Sequence, residues 1–162
     1  MSQLFVGVWP PPKVLKALAA YPRPGSGWTD ERQWLVNVRP LSHEQPGVVD
    51  ALLDALRFEL DGMPPPTASF GPVKAGSWLR VPVLGLDELR DVVFECTMPI
   101  VPVSHPKSMP WEVTIPLRKD RSPKELIAPL SASWKVDEVV LAEGTRRGGT
   151  HHYETVATIP LG

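Results

Sequence analysis

The sequence predicts an α+β protein of two lobes, a duplicated β-α-β arrangement with antiparallel sheets around a central cleft. Three observations predict it. The chain reads β-α-β-α-β-β-α-β-α-β-β, with short strands adjoining in pairs as antiparallel sheets require. Two stretches of matching pattern, WLVNVRPL from Trp34 and WEVTIPLR from Trp111, lie 77 positions apart in a chain of 162 residues. Apolar residues make up 43% of the composition, enough to bury a sizeable core within a single domain spanning 1–162.

Each element follows from its own pattern. QLFVGVW, residues 3 to 9, reads as a buried strand that Pro10 to Pro12 stop. Pro12 or Lys13 opens a helix through Tyr21, with Val14, Leu15 and Leu18 as its apolar stripe. PRPGSGWTDE is a loop leading to the first repeat strand, and a helix from about Gly47 to Leu60 carries Val48, Leu52, Leu56 and Leu60 at helical spacing. Beyond the DGMPPP breaker come strands near 67–73 and 77–84, then the helix GLDELRDVVFEC, capped near Asp87. The irregular stretch TMPIVPVSHPKSMP precedes the strand WEVTIPL, and Ser122 caps a short helix. KVDEVVLAEGT and HHYETVATIPL close the chain as a hairpin, with Arg146–Arg147–Gly148–Gly149 at its tip.

Charge and composition exclude several classes. A net charge of −1 gives no broad basic surface, so extended nucleic acid is not expected as a partner. The lone Cys96 supports neither a disulfide framework nor a cysteine metal cluster, and reads as a small buried residue of a helix. The opening MSQLFVGVWPPP lacks a basic n-region, and no stretch approaches the ~20 apolar residues of a membrane helix. A cytoplasmic protein without metal or cofactor is the expectation. No HExxH, CxxC, Walker or dinucleotide motif occurs.

The repeat strands carry the candidate site. Alternate residues of a strand share a face, so Leu35, Asn37 and Arg39 point one way and Trp34, Val36 and Val38 the other. If the repeat places its strands as counterparts, Leu35 and Asn37 face Glu112 and Thr114 across the join. Glu112, flanked by Val113 and Ile115 on an interior strand, has two readings: a salt bridge across the lobes with Arg39 or Arg118, or a carboxylate that grips a cationic or hydroxyl-rich ligand in the cleft. Arg80, between Leu79 and Val81, is placed on the same cleft. Trp28, Trp34, Trp78 and Trp111 either stack a ring or fill the two cores, and filling is the simpler account. His43 falls in a turn, His105 in a Pro-rich loop that could line the cleft mouth, and the adjacent His151 and His152 point to opposite faces.

These segments together resemble the 2H phosphoesterase superfamily, in particular its bacterial RNA 2′,3′-cyclic phosphodiesterase and 2′-5′ RNA ligase-like branch. The resemblance runs through LFVGVWPPPKVLKAL, QWLVNVRPL, VVDALLDALRFEL, ASFGPV, SWLRVPVLGLDEL, WEVTIPLR and WKVDEVVLAEGTRRGGTHHYETVATIPL. It implies two lobes related by a pseudo-twofold, each giving one His-x-Thr/Ser strand motif to the cleft. In such a site one neutral His takes a proton from the attacking oxygen, and the other, protonated, donates to the leaving oxygen.

The sequence departs from that pattern at the groups that matter. The resemblance puts its first histidine at Leu35 and its hydroxyl at Asn37; the second histidine falls at Glu112, and only Thr114 matches. General acid and base groups contribute ~10²–10⁴-fold each, so their loss implies the fold without the inherited reaction. Three functions follow as expectations. The first is a degenerate relative that reuses its cleft for a small molecule, nucleotide or partner. The others are an altered phosphoesterase using Glu112 as base, with Thr114, Asn37 and either His43 or His105, and a structural or regulatory binding module. The cleft-binding candidates are Trp34, Arg39, His43, Arg80, His105, Trp111, Glu112 and Thr114.

Overall fold

The computed structural model describes residues 2–43, 47–102, 112–147 and 150–162. His105 and Trp111 lie outside them, as does the Gly148–Gly149 pair.

Leu4, Val6 and Val8 alternate onto the core face of strand β1 (Ser2–Val8), leaving Phe5 and Gly7 on the other. Helix α1 (Pro12–Ala19) starts where Pro12 needs no N–H partner, and buries Val14 and Leu18. The expected loop after it contains a single 3-10 turn, Glu31–Gln33. There Asp30 Oδ1 accepts from Arg32 N (2.9 Å), and Gln33 Oε1 accepts from Asp30 N (3.0 Å). Strand β2 (Val36–His43) leads to α2 (Val48–Leu60), which buries Leu52, Leu56 and Leu60. Strands β3 (Thr67–Phe70) and β4 (Leu79–Leu84) precede α3 (Asp87–Thr97). Strand β5 (Thr114–Arg118), β6 (Ser133–Lys135), β7 (Glu138–Arg147) and β8 (Thr150–Pro160) complete the chain.

The strands form two antiparallel sheets, ordered β2-β1-β7-β8 and β5-β4-β3-β6. One contiguous core joins the three helices to both sheets through residues such as Val6, Val36, Leu52, Val81, Val93, Ile115 and Leu141. The other face of the β2-β1-β7-β8 sheet carries a second, smaller cluster of Phe5, Leu35, Val140 and Ala142, with Trp9 and Tyr153 packed against it. Among the described residues no helix is long and apolar enough to cross a membrane.

Two local expectations are corrected, and one short strand is added. Ser122 does not cap a helix: Pro123 holds that position before the 3-10 turn Lys124–Leu126, and Ser122 Oγ instead donates to Asp120 O (2.9 Å) and accepts from Arg118 (3.1 Å). Arg146 and Arg147 do not form the hairpin tip; they extend β7, where the ladder pairs them with His151 and Thr150. β6, three residues within a Ser- and Ala-rich stretch, carries too little pattern to be read as a strand, yet pairs with β3.

Candidate functional site

β2 sets one wall of a cleft between the sheets. Opposite it on β1, Val8 pairs with Val36 and Gly7 with Asn37, but Val6 pairs with Arg39, so Val38 is the extra residue of a β-bulge. The bulge shifts the face of everything after it. Leu35 and Asn37 stay on the cleft side with Gly7 and Phe5. Arg39 follows Val6 onto the core side.

Two cleft candidates lie elsewhere, Arg39 because of this bulge. Arg39 does not line the cleft: it is 1% exposed, its guanidinium donates to Thr97 Oγ1 and Val101 O, and it stacks 5.2 Å from the Phe94 ring. Burial holds its pKa below the usual arginine value. Trp34 is likewise core, 3% exposed, its indole N–H donating to Thr29 Oγ1 at 2.9 Å. Thr29 in turn donates to Pro116 O (2.6 Å), and its N–H to Leu117 O (3.0 Å). This relay ties the residue beside Leu35 to β5, the opposite wall.

β5 and β4 supply that wall. Arg80 pairs with Pro116 and Pro82 with Thr114 on the cleft face, while Val81 and Ile115 face the core. Glu112 precedes the strand, although the ladder continues through Val83 N to Val113 O (2.8 Å). The result is a cavity of about 310 Å³ lined by Leu35, Asn37, Trp78, Arg80, Glu112, Thr114, Pro116 and Tyr153. The four motif positions and Arg80 therefore converge on one space.

Their environments differ sharply. Leu35 is 1% exposed and packs so closely over Gly7 that a Cβ there would lie 2.7 Å from both Leu35 Cγ and Val36 O. Asn37 Oδ1 is buried without a hydrogen-bond partner among the described residues. Glu112 Oε1 accepts from Lys74 Nζ at 2.7 Å, with side-chain exposures of 36% and 46%. Its partner is thus neither Arg39 nor Arg118. Arg118 is held by Ser26 O, Arg121 O and Ser122 Oγ, over the Trp28 ring. No such partner holds the Arg80 guanidinium among the described residues.

Trp78, Tyr153 and Lys74 are the residues that sequence reasoning underrated. Trp78 is half-buried in the cavity wall, two positions before Arg80, a spacing that would have placed both on one strand face. Tyr153 reaches the cavity from β8, edge-on to Phe5 (5.1 Å), and burial pushes its phenol up to about 12. It stays a neutral hydroxyl at ordinary pH. His151, two residues earlier, lies 5.0 Å from the Phe5 ring; its pKa is lowered by burial and then by Arg146. Neither it nor His152 lines the cavity. His43 ends β2 opposite Gln3, six positions beyond Asn37, or roughly 20 Å along a strand.

No protein-family profile and no curated protein matches the sequence. Solved structures do match the architecture. TT0787 of Thermus thermophilus superposes with a TM-score of 0.76 at 16% identity, over 98% of this chain and 97% of that one. LigT of E. coli, in complex with 3′-AMP, gives 0.72 at 16% identity over 99% and 98%. This is the 2H phosphoesterase fold. The MHV ns2 PDE domain, at 0.52 and 14% identity over 84% of this chain and all of that domain, has the same fold in more divergent form. The described cavity lies between the β2 side of one sheet and the β4–β5 side of the other.

Proposed function

We propose that the protein is a degenerate 2H phosphoesterase: it keeps the fold, lacks the two-histidine phosphodiesterase reaction, and uses the cleft to bind a small anionic ligand. The observation that carries this reading is the cavity wall itself. Leu35 and Glu112, which the resemblance puts at the two motif histidine positions, are respectively sealed by packing and held by Lys74. Neither supplies the proton transfers of the parent chemistry.

The wall is still suited to binding. Arg80 offers a cation with no acidic partner among the described residues, Trp78 a ring face, and Thr114, Asn37 and Tyr153 polar atoms. They surround a space near the lower size limit of ligand sites. LigT takes 3′-AMP, ATP, NADP+ and phosphate, which supports an anion as the class of ligand. A Glu112 general base is the weaker reading, because Lys74 occupies its Oε1 and no histidine among the described residues lines the cavity.

The test is to incubate the purified protein with 2′,3′-cyclic AMP and to titrate the same nucleotide by calorimetry. Binding without turnover is expected, weakened at least tenfold by Arg80→Met. Hydrolysis that disappears in Glu112→Ala would falsify the reading in favour of an altered enzyme.

A further inference from the structure

We infer that Glu112, together with Lys74, makes the cleft selective for a ligand that carries one negative charge beside a flat ring, against a ligand of the same shape carrying two. This rests on the proposed use of the cleft as a ligand site.

The charges of the wall lead to it. Among the described residues the cavity and its rim hold Arg80, Glu112 and the Lys74 that pairs with Glu112. Lys74 and Glu112 offset one another, leaving a single uncompensated cation in that set. A carboxylate or phosphodiester matches Arg80 with one charge, through two parallel N–H donors. A phosphate monoester brings about −1.5 to −2 at pH 7. Its second charge finds no free cation there, and it meets a carboxylate where the two-histidine pattern would present an imidazole.

The uncharged groups define the rest of the ligand. Trp78, two positions from Arg80, offers its ring to a planar group. Asn37 places its amide, and Thr114 its hydroxyl, in the same wall. Charge number is therefore selected by Glu112.

Three probes that share adenosine isolate charge from ring. They are 3′-AMP as dianion, 2′,3′-cyclic AMP as phosphodiester monoanion, and adenosine-5′-carboxylate as carboxylate monoanion. Calorimetry at pH 7.5 is expected to show at least one monoanion binding tenfold or more tighter than 3′-AMP, and the tighter of the two tells phosphodiester from carboxylate. Glu112→Gln removes the repelling charge and frees Lys74, so 3′-AMP should gain at least tenfold while the monoanions change less. Lys74→Gln should weaken all three and leave the order intact; circular dichroism confirms that both variants are folded. Equal or tighter binding of 3′-AMP by the unmodified protein, or an unchanged ratio in Glu112→Gln, overturns the inference while leaving the cleft a binding site. Binding of none of the probes overturns the proposed function and the inference with it.

Discussion

The β2 wall of the cleft is built as core and the β5 wall as surface. Leu35 is sealed among Phe5, Val140 and Ala142, over a glycine with no room for a methyl group. Glu112 sits at the end of a strand, a third exposed, in an ion pair that any water can reach. The two positions that the sequence repeat pairs are thus under different physical constraints. At Leu35 the side chain contributes to stability through buried area; at Glu112 it contributes little to stability and can be chosen for charge. Sequence change should be tolerated on the second wall and resisted on the first.

The largest effect expected from this contrast is at Leu35. Leu35→Ala removes buried methyl groups beside Gly7 and should cost about 2–5 kcal/mol in urea unfolding. A loss below about 1 kcal/mol would mean that this wall is not core. Gly7→Ala comes next, at about 1–3 kcal/mol, because its Cβ meets Leu35 Cγ and Val36 O. In a double-mutant cycle Leu35→Ala should relieve only part of that cost, since the Val36 carbonyl remains.

Tyr153 sharpens the comparison from the floor between the walls. Its folded pKa is raised to about 12 from an unfolded value near 10. The folded state holds this proton more tightly than the unfolded one, so the stabilisation is full below about pH 10 and is lost as pH rises through about 12. Tyr153→Phe should flatten the stability profile between about pH 10 and 12, measured by denaturant titration. The smallest effect belongs to the other wall: Glu112→Gln should shift unfolding by no more than about 0.5 kcal/mol, because the Lys74 pair is half-exposed and screened.

Much of this was legible in the sequence, for definite reasons. The helices announced themselves through Val14 and Leu18, through Leu52, Leu56 and Leu60, and through Leu89 and Val93, each set at helical spacing and buried as that spacing demands. Repeat position alone brought Leu35, Asn37, Glu112 and Thr114 to one cavity. The misplacement of Arg39 has one cause. Strict alternation from Asn37 sends it to the cleft, and only the pairing of β1 with β2 reveals that Val38 is an inserted residue. A bulge is a property of two strands, so neither strand's sequence displays it. The Asp30-Glu31-Arg32-Gln33 turn was different, since an acid followed three residues later by Gln is a capping signature present in the sequence itself. Tyr153 was hidden by distance: nothing near residue 153 indicates that β8 crosses under a site assembled from residues 35 to 116.

The bond from Trp34 through Thr29 to the Pro116 carbonyl bears on how anything enters. It fastens the two walls to each other behind the cleft, so they form a socket of fixed width rather than a pair of jaws. For the ligand proposed above, these two walls should not close on each other after it enters. Stopped-flow binding should accordingly follow one exponential whose rate rises linearly with ligand concentration, and Thr29→Val, which cuts the fastening, should introduce a second, concentration-independent phase.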